Sequence, residues 1–289
     1  MNKTTIETEE DWDLVVKPKQ GLFDLHLQDL WRYRDLIMLF VRRDIVATYK
    51  QTLLGPLWFI VQPLMMTFIY TLVFGRVAHI PTAGIEPPML FFLSGVIFWN
   101  YFSSSLLKTS NTFVANAGMF GKVYFPRLTV PVSTVISSLV SLGIQLSVLI
   151  ALSLYFYATG ANLQPNVYLL AVPLLILIMS GLSLGLGIIV SALTTKYRDL
   201  SYFLGFGVQL FMFATPVVYP ATYVPASYQW LVKWNPMAPI IESFRYACFG
   251  GEGFFDWSGV GFSLLATFAI LGIGVVLFNK VEKTFMDTV

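Results

Sequence analysis

Long apolar runs separated by short polar connectors make up most of the chain from residue 56 onward. Six of these runs contain no Asp, Glu, Lys, Arg or His, and each has about the length that a helix needs to cross ~30 Å of hydrocarbon. The pattern therefore predicts an all-α polytopic membrane protein. The six predicted spans are residues 56–75, 88–107, 128–157, 167–193, 200–218 and 258–278.

Residues 31–55, just before the first span, show a different pattern. At 100° per residue, charged side chains group on one side of a helix and apolar side chains on the other, although Arg34 and Asp44 interrupt the apolar stripe. This imperfect pattern favours an amphipathic helix in the membrane interface, ended by Gly55 and Pro56. The charged side holds Arg32, Asp35, Arg42, Arg43 and Lys50, and the apolar side holds Leu30, Tyr33, Ile37, Phe40, Val41 and Ile45.

Two further segments are apolar but too short or too interrupted to cross a membrane. The pattern of residues 108–127 predicts a non-spanning insertion with two glycines, Gly118 and Gly121. Residues 225–249 predict two short helices, one near 227–234 and one running to Phe249, with Asn235 as its N-cap and Pro236 at the first helical position. We expect this second segment to form a re-entrant helix pair, on which Glu242 and Arg245 can pair three positions apart.

The positive charges are distributed unevenly over the connectors. Fifteen of the 18 Lys and Arg residues fall in alternate segments, which include both ends of the chain, and three fall in the others. The positive-inside rule therefore predicts that both termini are cytoplasmic and that the re-entrant pair is outside. We expect cytosolic tails at residues 1–30 and 279–289, the first acidic and without the features of a signal peptide.

Composition excludes several function classes. The chain is 56% hydrophobic and 12% charged, with a mean hydropathy of +0.70, and its net charge of +2 does not indicate a nucleic-acid partner. Its single cysteine, Cys248, and its two histidines form no pattern typical of a disulfide or a metal site. Spans without ionisable groups argue against ion-coupled transport. Without a phosphate-binding loop, the chain is not expected to be an enzyme that hydrolyses ATP by itself.

Short motifs, taken together and in order, resemble the membrane subunit of an ABC transporter of the ABC-2 type. The similarity is to the branch that exports polysaccharides such as O-antigen, capsule and teichoic acid, and it covers roughly residues 30–283. The motifs are Val41–Ile45, Tyr49–Trp58, Phe125–Pro131, Tyr197–Asp199, Thr215–Tyr219 and Asn235–Met237.

The resemblance implies a complex in the bacterial inner membrane. Two copies of this chain would join two ABC ATPase subunits, which would bind ATP and Mg²⁺, while this chain would bind no cofactor. Lipid-linked polysaccharide would pass between the membrane halves, among membrane lipids. The expected sites are ATPase coupling at Arg42, Arg43, Asp44, Tyr197, Arg198 and Asp199, a cytosolic gate at Lys122, Phe125, Pro126 and Arg127, a polymer path at Phe98, Trp99 and Tyr101, and an external gate at Asn235, Pro236, Glu242 and Arg245.

Each of these expectations has a plainer alternative. The charged cytosolic residues could contact lipid headgroups, the aromatic residues could serve helix packing, and the Glu242–Arg245 pair could be a local surface contact. Glycines in the apolar helices are most simply explained by close helix packing. Two other functions also fit: an ABC-2 exporter of a small molecule or lipid, and, less well, a membrane-embedded enzyme acting on glycans or lipids.

Overall fold

The computed structural model describes residues 27–50, 54–123, 125–195, 197 and 199–288. Within these ranges the chain is helical, and no strand occurs. Most of the predicted acidic tail and the predicted coupling residue Arg198 lie outside the described residues. The helices are α1 Leu27–Arg32, α2 Arg34–Tyr49, α3 Trp58–Tyr70, α4 Pro88–Ser110, α5 Thr112–Phe120, α6 Thr129–Ala158, α7 Val172–Thr194, α8 Leu200–Phe213, α9 Gln229–Lys233, α10 Met237–Phe249 and α11 Trp257–Thr288.

Five helical segments are long and apolar enough to cross a membrane. Each overlaps a predicted span, and the ends differ by at most three residues. The first joins α3 to a 3₁₀ turn before it and a π-helical stretch after it, and the fourth joins α7 to a preceding 3₁₀ turn. The five segments are Gly55–Val77, Pro88–Ser110, Thr129–Ala158, Val167–Thr194 and Trp257–Val281.

The remaining predicted span, residues 200–218, is only partly helical. Helix α8 ends at Phe213, so its 14 residues measure about 21 Å. Pro216 explains the early end, because the residue before a proline is disfavoured in helical conformation and proline itself donates no backbone hydrogen bond. The run without charged residues continues to Val218, but the helix ends at Phe213, so the prediction of a helical span up to residue 218 was wrong.

The N-terminal helix follows the predicted amphipathic pattern in part. A break at Tyr33 separates α1 from α2. On α2, Phe40 and Val41 are buried while Arg42 and Arg43 are exposed. At the other end of the chain, α11 continues as one helix to Thr288, through the segment predicted as a tail.

The core is centred on α4, of whose 23 residues 16 are buried. Helix α7 packs closely on its neighbours through small residues, as expected for helices in a membrane. A Cβ atom added at Gly187 would lie 2.5 Å from Thr109 Cβ on α4, and one at Gly185 would lie 3.0 Å from Leu271 N on α11. The prediction that glycines serve helix packing is confirmed for these positions, whereas a Cβ at Gly272 would meet nothing within 4 Å.

Candidate functional site

Aromatic side chains at one end of the bundle connect the N-terminal helix to the predicted cytosolic gate. Phe40 of α2 lies 5.7 Å from Phe125, and Phe125 lies 5.8 Å from Phe120 of α5, measured between ring centroids. Phe113 of α5 stacks on Phe278 of α11 at 4.5 Å. We call this the inner-end cluster. Its buried members are Phe40, Phe113, Phe120, Phe125, Val130, Ile188 and Phe278.

The last turn of α7 is tied to the same region by hydrogen bonds. The backbone N–H of Phe113 donates to Ser191 Oγ at 3.4 Å, and Thr194 Oγ1 donates to the carbonyl of Ser110 at 3.2 Å. The predicted coupling loop at 197–199 follows immediately after this turn. Helix α5 is therefore in direct contact with the end of α7 and is connected to α2 through the ring of Phe125.

The predicted coupling residues that the structure describes lie near the surface. Arg43 and Asp44 form an exposed ion pair at 2.9 Å, and the Arg43 guanidinium lies 4.8 Å from the Phe40 ring centroid. Tyr197 and Asp199 are exposed. Such positions are compatible with a bound subunit, and docking there stays a prediction.

The predicted gate residues fall into an exposed part and a packed part. Lys122 is exposed, Pro126 is half-buried, and Phe125 is buried in the inner-end cluster. The half-buried Arg127 places its guanidinium 5.5 Å from the ring centroid of Phe120. Helix α5 has nine residues, so the insertion does not span, as predicted.

The three aromatic residues predicted to line a polymer path lie inside the protein. Phe98, Trp99 and Tyr101 are 0%, 5% and 3% exposed. Phe98 packs on Phe244 at 4.1 Å, and the Tyr101 hydroxyl shares a 2.6 Å hydrogen bond with Ser180 Oγ. Trp99 lies 5.8 Å from Phe211 of α8. These contacts fit the alternative explanation, helix packing, and a role in the polymer path would require the helices to separate.

Arg245 of α10 is the centre of a buried polar network at the other end of the bundle. Its side chain is 3% exposed, and its guanidinium donates to five acceptors, which uses all five N–H groups of an arginine. We call this the arginine hub. The acceptors are Pro216 O at 2.7 Å, Val217 O at 2.6 Å, Phe91 O at 3.2 Å, Ser94 Oγ at 3.3 Å and Glu242 Oε1 at 3.2 Å.

The predicted Glu242–Arg245 pair is therefore present, but it is not a surface pair. Burial lowers the pKa of Arg245 to about 10, so the guanidinium stays charged near neutral pH. Burial also raises the pKa of the Glu242 carboxyl, and the charge of Arg245 opposes that rise. The carbonyls of residues 216 and 217 follow the end of α8, where a membrane-embedded backbone needs internal hydrogen-bond partners. Arg245 supplies those partners.

Gly95 makes the arginine hub possible. A Cβ atom at this position would lie 2.5 Å from Arg245 Nη2 and 2.5 Å from Val217 O. Only a residue without a side chain leaves room for the guanidinium against α4.

Helix α10 is also fixed at both of its ends. Asn235 donates to Ala214 O at 3.1 Å and Thr215 Oγ1 at 2.8 Å, and its Oδ1 accepts from Met237 N at 2.9 Å. At the far end, Asn166 Nδ2 donates to Tyr246 O at 2.9 Å. Asn235 thus binds the start of α10, but the helix begins one residue later than predicted, so that Pro236 and not Asn235 is the N-cap. The amide groups of Met237 and Ala238 both donate to Asn235, so they are not available to a ligand.

Comparison with known proteins agrees with these features. Residues 35–249 match the ABC-2 type transporter family. The chain belongs to that family. An O-antigen export system permease protein of Klebsiella pneumoniae is 28% identical over 253 residues, which cover 88% of this chain and 94% of that protein. Another from Myxococcus xanthus is 26% identical over 221 residues, covering 76% of this chain and 82% of that protein.

A polysialic acid transport protein of Escherichia coli is also similar to this ABC-2 chain. It is 28% identical over 249 residues, which cover 85% of this chain and 93% of that protein. Family and apolar helices together make the chain a multi-pass membrane protein. Among its described residues, no group of three or more His, Cys, Asp or Glu side chains could hold a metal ion.

Several residues that organise the ABC-2 chain were not singled out by sequence analysis. Phe113 and Ser191 join α5 to α7, Gly95 admits the guanidinium, and Asn166 holds the end of α10. Their partners are distant in sequence and include backbone atoms, which leave no sequence pattern. Of these residues, Gly95 could most easily have been identified from the sequence, because a glycine inside a long apolar helix indicates that another part of the protein packs closely against it.

Proposed function

We propose that this chain is the permease subunit of an ATP-driven exporter of lipid-linked polysaccharide of the O-antigen kind. It works in the bacterial inner membrane as two copies joined to two ATPase subunits, which bind ATP and Mg²⁺. This proposal is supported mainly by the similarity to an O-antigen export permease, which covers 88% of this chain and 94% of the matched protein. The family match over residues 35–249 includes the arginine hub and all members of the inner-end cluster except Phe278.

The inner-end cluster supports a route for mechanical coupling. ATPase subunits contacting α2 and the 197–199 loop would move two elements that connect to α5, one through Phe125 and the other directly through the end of α7. Phe40 would transmit displacement of α2 to Phe125, and the bonds of Ser191 and Thr194 would transmit displacement of the end of α7. Buried aromatic contacts suit this task because packed interfaces switch between arrangements rather than deform continuously. Residues 111–127 act in this proposal as the cytosolic gate.

A sixth crossing completes the proposed topology. An odd number of crossings would place the two termini on opposite sides, whereas the charge distribution favours both in the cytoplasm. Helix α8 together with residues 214–218 provides the additional crossing, with its non-helical backbone bonded by Arg245 and Asn235. The re-entrant segment 225–249 then lies outside, where α10 forms the fixed part of the external gate and α9 the exposed part.

The transport proposal is tested by deleting this chain from its host. We expect polymer to disappear from the cell surface and lipid-linked polymer to accumulate inside, with both changes reversed by the wild-type gene. Unchanged surface polymer in the deletion strain would refute the function.

For coupling, Phe125→Ala should reduce export while the ATPase subunit still copurifies, because the ring contact with Phe40 is lost. Val123→Ala, an exposed apolar position on the same connector, is the matched control.

The topology is tested by thiol labelling in a Cys248→Ala background. Ser227 and Lys122 are both exposed in the structure, so cysteines there are accessible to reagent. Ala238 is 2% exposed and makes a poor probe. An impermeant maleimide added to intact cells should label Ser227→Cys but not Lys122→Cys, and the reverse pattern would overturn the orientation.

A further inference from the structure

An open cavity of 560 Å³ lies beside the arginine hub and is lined by α9, α10, the start of α11 and the connectors around residues 83–85 and 250–256. We call it the outer cavity. Its volume is within the range of ~300–1,000 Å³ that small-molecule sites occupy. The side chains that decide its chemistry are Lys233, Glu242, Tyr246, Glu252, Phe254 and Phe262.

The walls of the outer cavity are held together by backbone contacts. Glu252 N donates to Ala83 O at 2.7 Å, which joins the 250–256 connector to the 78–87 connector. A Cβ atom at Gly251 would lie 2.5 Å from Ala83 O, so the two backbones are in direct contact. Since α10 is also fixed by the arginine hub, the cavity is a preformed site.

The charges of the outer cavity argue against a phosphate ligand. Arg245 has no free donor because its five N–H groups are all bonded. Among the described residues, Lys233 and Glu252 make no ion pair, so the cavity offers one free ammonium group. Glu242, Glu252 and Asp256 would repel an anion, although Asp256 Oδ1 already accepts from Gly259 N at 2.9 Å.

The same groups suit a neutral ligand with many hydroxyl groups. The Glu252 carboxylate has acceptor sites for hydroxyl donors, and Glu242 retains acceptor capacity beside its bond to Arg245. Phe254 is 75% exposed and offers an apolar ring face at the rim. Phe262 lies deeper and packs edge-on against Trp234 at 6.0 Å. Carboxylate acceptors beside aromatic faces match the hydroxyl groups and C–H faces of a sugar ring.

We infer that the outer cavity binds one or two neutral sugar units of the exported glycan, with Glu252 accepting hydroxyl hydrogen bonds and Phe254 covering a ring face. This inference rests on the proposed function and adds a glycan-binding site on the outer side of the permease. Weak binding there would hold the emerging polymer against backward movement between transport steps.

Binding is measured on the intact complex of permease and ATPase subunits in phosphatidylcholine nanodiscs. The probe is a water-soluble oligosaccharide of two repeat units, prepared from the host's surface polysaccharide by removing its lipid. Saturation-transfer NMR and calorimetry should detect binding to the wild type. Glu252→Gln and Phe254→Ala should each weaken it about tenfold, the effect of losing one hydrogen bond to a charged group or one stacking ring. Glu86→Gln and Phe268→Ala, exposed residues outside the cavity, should leave it unchanged.

Three results would overturn the inference. The first is the absence of binding to the wild type, and the second is affinity that neither cavity variant changes. The third is loss of the oligosaccharide signal when phosphatidylethanolamine replaces phosphatidylcholine in the disc, which would assign the cavity to a lipid headgroup. If any of these occurred while the deletion strain still accumulated polymer inside, the export function would stand without this site. Normal surface polymer in the deletion strain would refute the export function itself.

Discussion

Replacing Gly95 with alanine would place a methyl group between α4 and the arginine hub. The added Cβ would lie 2.5 Å from both Arg245 Nη2 and Val217 O, the two atoms of a 2.6 Å hydrogen bond. Real Cβ atoms essentially never approach another heavy atom closer than 3.0 Å. Because the methyl group would clash with both the donor and the acceptor, the bond must open and α4 must also move away from α10.

The cost follows from these two responses. Losing one hydrogen bond to a charged group costs about 1.5–3 kcal/mol, and overpacking a close contact costs about 1–3 kcal/mol. Alanine recovers about 1 kcal/mol through its better helix propensity. We therefore expect Gly95→Ala to destabilise the protein by about 1.5–5 kcal/mol, which for a chain of 289 residues corresponds to a melting temperature lower by roughly 2–8 °C.

Thermal unfolding in detergent, followed by tryptophan fluorescence, measures this effect. Unfolding of a large membrane protein is usually irreversible, so the variants are compared at one scan rate. Gly272→Ala is the matched control, because its added Cβ meets nothing within 4 Å, and it should melt at or slightly above the wild-type temperature. If Gly95→Ala melted with the wild type, the guanidinium would not be packed against α4 as described.

Three further predictions concern packing, the start of α10 and thiol reactivity. Trp99→Leu should lower the melting temperature and export together, because Trp99 is buried, whereas Trp230→Leu, at an exposed position, should leave the melting temperature unchanged. If Trp99→Leu reduced export without changing the melting temperature, a role in the polymer path would be favoured instead. Asn235→Ala should destabilise by about 1–3 kcal/mol, and Asn235→Asp by more, because a buried carboxylate cannot donate to Ala214 O and would repel it; a smaller loss for Asn235→Asp in thermal melting would contradict this role. Burial raises the pKa of Cys248 to about 12, so roughly one thiol in ten thousand is ionised at pH 8. Native protein should therefore react slowly with maleimide, and rapid labelling before denaturation would contradict the burial of this thiol.

The spans could be predicted from sequence because length and absence of charge are sufficient signals. Five of the six predicted runs appear as long apolar helices with nearly the expected bounds. Pro216 also carried the information that α8 stops early, since a proline and its preceding residue both disfavour a helix. The lack of charge up to Val218 masked that signal.

The orientation of side chains could not be predicted in the same way. Helix α4 is apolar on every side, so no periodicity distinguishes a channel face from a packed face, and Trp99 gave no indication of its burial. The arginine hub could not be predicted from the sequence either, because three of the five acceptors of Arg245 are backbone carbonyls. Sequence spacing revealed only its contact with Glu242.

The short α8 changes the electrostatic barrier that a polar polymer would meet. Its helical part covers about 21 Å, compared with a hydrocarbon thickness of about 30 Å. In the proposed topology, the charged guanidinium of Arg245 and the carbonyls of residues 216 and 217 occupy the missing depth on the outer side. Polar protein groups would then extend inward by about 9 Å, the difference between these two lengths. The apolar barrier formed by α8 would therefore cover about two thirds of the bilayer rather than its full width.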